Sequence, residues 1–184
     1  MKNNVNFAEL EKSIKEIGIT NVSIIDAALI PTDVCFRKMC EMNTCGVFGK
    51  CWTCPPDVGD INELMAKIGD CKSALVFQYI GQLEDSFDFE GMIDAKKKFY
   101  KLTASVRQAV ADAGVDDTLL LGAGGCGVCE RCAKRDEEPC RFPDLAIPSL
   151  EAYGVNVSGL AKAAELKYIN GANTVTYFGA VLFN

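Results

Sequence analysis

The chain has no histidine in its 184 residues, and that absence removes more chemistry than any other feature of its composition. Without imidazole there is no histidine-based zinc hydrolase site, no Ser-His or Cys-His nucleophile pair, and no side chain with an unperturbed pKa near neutrality. Proton chemistry falls to carboxylates, lysines, tyrosines or thiols. Basic charge is also short, with 19 Lys and Arg against 25 Asp and Glu and a formal charge of −6. The pI is near 4.8. A nucleic-acid groove needs an excess of cations to neutralise phosphates, so this balance argues against nucleic acid as a partner. A long apolar run is missing too. Met1-Lys2-Asn3-Asn4 leads into Phe7-Ala-Glu-Leu-Glu-Lys-Ser-Ile-Lys15, too charged for a signal peptide or a membrane span. A cytoplasmic protein with no membrane partner is therefore expected.

What the chain does have is cysteine, ten of them, in a sequence whose 49% apolar content suffices for a core. The length fits one domain, and a single cysteine-rich domain over residues 1–184 is the expected organisation. An even count would suit disulfides in a secreted protein, but clustered thiols in a reducing compartment point to metal or redox work.

The strongest signal is Cys126-Gly-Val-Cys129-Glu-Arg-Cys132, followed by Cys140 and Pro143. Three thiolates at two-residue intervals wrap three corners of an iron–sulfur cube locally, and a fourth ligand closes it from farther along the chain. The spacing favours a [4Fe-4S] cluster. The alternative is a structural zinc ion, which four thiolates also satisfy, although zinc sites pair two C-x-x-C knuckles more often than they use a triplet. A second set, Cys40, Cys45, Cys51 and Cys54 before Pro55-Pro56, is looser, and Cys35 competes as a ligand. If only three of these bind, one iron stays open to substrate, which separates an enzyme from an electron carrier. Cys71 reads as a small hydrophobe packed against a strand. Lys50 and Arg141 lie beside ligands as potential-raising cations, and Phe48 and Trp52 as shields from water.

Along the chain, Phe7, Leu10, Ile14 and Ile17 before Gly18 predict a helix over 6–17, and Val22 to Ile30 a strand. Residues 32–59 carry little periodic apolar content and read as a metal-organised loop. Asp60 and Glu63 start a helix over 60–70, and Ser73 to Ile80 form a buried strand. Residues 84–90 are an acidic loop, more a solvated connection than a docking patch. The longest helix runs from Met92 to about Gly114, and Thr118 to Leu121 read as a central strand delivering Gly122-Ala-Gly-Gly125 into the second cysteine set. That glycine run is neither a complete dinucleotide fingerprint nor a P-loop, so it reads as backbone passing close to a cluster. A short helix before Gly154, another over 155–165 capped by Asn156 or Ser158, and a strand over 174–183 complete the chain. Helices and strands alternate, so the expected class is α/β or α+β, one sheet with packed helices and two cysteine-rich loops.

Taken in order, Cys45-Gly-Val-Phe-Gly-Lys-Cys-Trp-Thr-Cys54-Pro-Pro, Cys126 to Cys132, Cys140-Arg-Phe-Pro143, Pro148-Ser-Leu-Glu-Ala-Tyr-Gly-Val-Asn-Val157 and Tyr177-Phe-Gly-Ala-Val-Leu182 form a set. It resembles the bacterial and archaeal family of predicted metal-binding proteins, a domain of unknown function common in anaerobes, from about Cys40 to the C-terminus. The resemblance implies metal binding by these cysteines, as iron–sulfur clusters in a cytoplasmic protein of anaerobic metabolism. Electron transfer with a protein redox partner is the leading expectation. A zinc-stabilised interaction module and a reductase with an open iron are the alternatives.

Overall fold

In a computed structural model that describes residues 6–184, a four-stranded sheet separates two layers of helices. Helix α1, Phe7–Ile17, begins where the Asn6 side chain accepts the Glu9 N–H and ends at Gly18, whose φ of 114° is open to glycine. Its Leu10 and Ile14 are buried, as the spacing requires. Strand β1, Asn21–Asp26, is shorter than the expected 22–30. The Asp26 carboxylate accepts the Ala28 N–H and winds Ala27–Leu29 into a 3₁₀ turn, a local bond that competes with the ladder.

The segment 32–59 is not wholly loop. It contains a seven-residue helix, α2, Cys35–Glu41, with no buried residue, which is why apolar periodicity gave no sign of it. Arg37 ties α2 down by donating to the Gly59 carbonyl at 3.0 Å and the Ala152 carbonyl at 3.4 Å. Helix α3, Ile61–Gly69, follows, capped by Asp60, which accepts the Asn62 and Glu63 N–H groups.

Strand β2, Ser73–Gln82, pairs antiparallel with β1 on one side. On its other side β4, Thr174–Phe183, runs antiparallel over ten residues, from Ser73 opposite Phe183 to Gln82 opposite Thr174. Strand β2 is covered on both faces. Its Leu75, Phe77 and Tyr79 meet α1 and the long α4, Phe89–Asp112, through Phe99, Leu102 and Val106. Its Ala74 and Val76 meet Leu64 and Ile68 of α3 and Leu160 of α5, Val157–Ala163. Antiparallel pairing throughout selects α+β from the two expected classes.

Strand β3, Leu119–Leu121, is at the sheet edge, in the order β1-β2-β4-β3, and not central. Its apolar run reflects a covered edge. The Gly122 N–H donates to the Pro148 carbonyl at 2.8 Å and the Gly122 carbonyl accepts from Leu150 at 2.9 Å, so residues 148–150 close the edge. This closure brings the chain after β3 beside the 3₁₀ turn Glu151–Tyr153.

Candidate metal centre

Beyond Gly122 the chain forms an irregular loop to about residue 147, interrupted by 3₁₀ turns at Ala133–Asp136 and Pro143–Leu145. Its four cysteines, Cys126, Cys129, Cys132 and Cys140, line one small cavity of about 10 Å³. Cys51 enters the same cavity from the earlier cysteine loop. Two contacts staple the loops together. Trp52 donates its indole N–H to the Glu138 carbonyl at 2.9 Å. Lys134 reaches Asp57 at 3.0 Å while its ammonium lies 4.5 Å from the centre of the Trp52 ring.

Cys51 does not stay with its sequence neighbours because it and Cys54 sit at opposite ends of a tight turn, closed by the Cys54 N–H on the Cys51 carbonyl at 2.9 Å. The Cys51 sulfur lies 3.3 Å from the Thr53 hydroxyl, and the two thiols shift each other's protonation. Cys51 is held down to about 5, first by the thiol of Cys54 and then, against burial, by the Thr53 hydroxyl, the Thr53 N–H and the Cys126 N–H. Cys54 is pushed far up by the neighbouring Cys51 thiol and by burial. The buried pair therefore keeps one proton readily, with Cys51 as the thiolate. Burial also raises Cys126, partly offset by N–H groups of Val128 and Ile147 that point at its sulfur. Backbone donors at sulfur are what a thiolate needs in a dry site.

Cys54 faces the second wall of the site. With Cys40 from α2 and Cys45 it borders a cavity of about 530 Å³. The Cys40 thiol is raised by burial and by Cys45. Phe48 lines this cavity, whereas Trp52 lines the smaller one. Arg141 borders the smaller cavity and donates to the Arg131 carbonyl at 3.2 Å, while Lys50 is exposed. Cys35 lies outside both cavities; it is exposed, with its thiol on Asp33. Cys71 packs against the core and donates to the Lys67 carbonyl at 3.3 Å. The expected set of Cys40, Cys45, Cys51 and Cys54 is thus divided in space, three on one cavity and Cys51 on the other. Sequence reasoning passed over Lys134 and Asp57, which look like ordinary surface charges, and Glu151, which no periodicity marks.

All ten cysteines are free thiols. Among the described residues, no three Cys, Asp or Glu side chains converge as the ligands of one metal ion. A tetrahedral zinc with bonds of about 2.3 Å would hold its sulfurs roughly 3.8 Å apart. The number and softness of the donors fit a thiolate-bound metal centre. A cavity of about 10 Å³ has room for about one water, so taking up a cluster of several irons means moving these side chains outward.

A family model described as predicted metal-binding protein (DUF2284) matches residues 23–183. No curated protein and no solved structure matches the chain. Among the described residues no helix is long and apolar enough to cross a membrane.

Proposed function

The chain belongs to this family of predicted metal-binding proteins, and from that premise we propose that it is an iron–sulfur redox protein. Cys126, Cys129, Cys132 and Cys140 hold a [4Fe-4S] cluster, and Cys40, Cys45 and Cys54, with Cys51 between the two sets, hold a second. Such a cluster takes up and releases one electron at a time. The observation that carries the reading is that Cys126, Cys129, Cys132 and Cys140 gather on one cavity with Cys51, while Cys54, joined to Cys51 by a single tight turn, borders the other with Cys40 and Cys45.

The residues around these thiols have separable tasks. Each ligand serves as a thiolate, so binding releases protons and weakens at low pH. Backbone N–H groups of Val128 and Ile147 offset charge on Cys126. Trp52 and Phe142 narrow access of water to the smaller cavity. Lys96, Lys97, Lys98 and Lys101 on α4 give the otherwise acidic chain an exposed basic stretch, suited to an acidic protein redox partner.

Replacing Cys129 by Ala tests the assignment. Visible absorbance of one cluster should disappear while that of the other remains; an unchanged spectrum refutes it. A second reading, an open-iron reductase, is favoured by one observation: only three thiols border the 530 Å³ cavity.

A further inference from the structure

The larger cavity has features that metal binding does not use. At about 530 Å³ it falls in the usual range for a small-molecule site, about 300–1,000 Å³. Besides the thiols its lining is aromatic and thioether in character, with Phe36, Phe48, Tyr168, Met39 and Met42. Among the described residues, Glu151 is the single charged side chain that lines it; no Lys or Arg does. The Glu151 carboxyl is buried, and its Oε2 has no hydrogen-bond partner among the described residues. A desolvated carboxyl with an unused oxygen is costly to keep. Burial pushes its pKa up, against weaker support from its own N–H and the Ser149 hydroxyl.

We propose that this cavity binds a small organic cation, an amine or methylated ammonium on an apolar body, with the Glu151 carboxylate as its counter-charge. Charge selects the class. An anion would meet Glu151 and the thiols of Cys40, Cys45 and Cys54 with no compensating cation among the described residues of the wall. A neutral ligand would supply no charge to offset the burial that disfavours the ionised carboxyl. A cation pairs with the Glu151 carboxylate, and the aromatic side chains of Phe36, Phe48 and Tyr168 that line the cavity offer it further attraction. Lys96 lines a smaller adjoining cavity that shares Glu151 and Tyr168, but its ammonium lies 5.7 Å from the centre of the Tyr100 ring and makes no ion pair with Glu151. The methionine rim, with Met39 54% and Met42 69% exposed, adapts to the ligand's apolar part.

The inference rests on the metal held by Cys40, Cys45 and Cys54 leaving part of this cavity open beside Glu151, and the test keeps ligand binding and metal content apart. Full-length protein, purified anaerobically with its metal and assayed for metal content in every sample, is titrated calorimetrically with benzylamine, benzyl alcohol and benzoate. These probes share shape and differ in charge. Benzylamine should bind at least about tenfold tighter than benzyl alcohol, the size of a charge-assisted hydrogen bond, and benzoate not measurably. Glu151→Gln should bring benzylamine down to the level of benzyl alcohol and leave benzyl alcohol unchanged. Tyr168→Leu, at an exposed position, should weaken benzylamine several-fold and serves if Glu151→Gln fails to fold. Equal binding of amine and alcohol, tighter binding of benzoate, no binding of any probe, or an amine preference that survives in Glu151→Gln would each overturn the proposal.

Discussion

Gly127 sits between Cys126 and the rest of the triplet, and a methyl group there would overlap the ring atoms Cγ, Cδ2 and Cε2 of Tyr100. Tyr100 cannot swing clear freely, because it is half-buried on α4 beside the core residues Phe99 and Leu102. Gly127→Ala is therefore an overpacking change directed at the seam between the cysteine loop and α4. Overpacking of this kind costs about 1–3 kcal/mol, and for a chain of this length each kcal/mol lowers Tm by about 2–4 °C, so a fall of about 2–12 °C is expected. Urea unfolding should show a lower midpoint with an unchanged slope. In a Tyr100→Leu background, where no ring is present, the same substitution should cost less than about 0.5 kcal/mol, a coupling that a double-mutant cycle isolates. An equal loss in both backgrounds, or no loss in either, would refute the contact as the cause.

The remaining predictions address the thiols, the caps and the loops. Cys35→Ser should leave metal content per chain unchanged, since Cys35 is exposed and borders neither cavity; a loss of metal would make it a ligand. Asp60 is held below the usual carboxylate range by the N–H groups of Asn62 and Glu63, and Asp88 by those of Glu84 and Gly91. Their support for α3 and α4 is complete above the unfolded carboxylate pKa and is lost as pH falls through the lowered folded values. Amide exchange at Asn62 and Gly91, corrected for intrinsic rates, should accelerate only in that acid range, and equal protection throughout would contradict the caps' role. Removing metal with a chelator should raise hydrogen exchange in residues 32–59 and 122–143 while α4 stays protected; equal protection with and without metal would show that the loops fold unaided.

The elements legible in the sequence are those whose own residues carry the reason for their form. Leu10 and Ile14 with an Asn6 cap and Gly18 stop define α1, and Asp60 with Leu64 and Ile68 defines α3. Strands β2 and β4 could be read because β-branched and aromatic residues fill both. Helix α2 was hidden because nothing on it is buried, its anchor being one arginine that reaches two distant carbonyls. Strand β3 looked central because three leucines do not tell a sheet interior from an edge covered by residues 148–150. The cysteines followed the same division. The triplet with Cys140 gathers on one cavity because it lies on one loop. The allocation of Cys51 and Cys54 to different cavities depends on a turn that linear spacing does not encode. Glu151 escaped notice because its burial comes from tertiary packing around a 3₁₀ turn.

Anaerobic purification with iron, acid-labile sulfide and zinc measured per chain, alongside visible and EPR spectra, decides whether these thiols carry iron–sulfur clusters. The proposed assignment predicts about eight irons and eight sulfides, two cubanes, with a reducible paramagnetic signal. Near-stoichiometric zinc without sulfide would contradict it and make the cysteine loops a structural module.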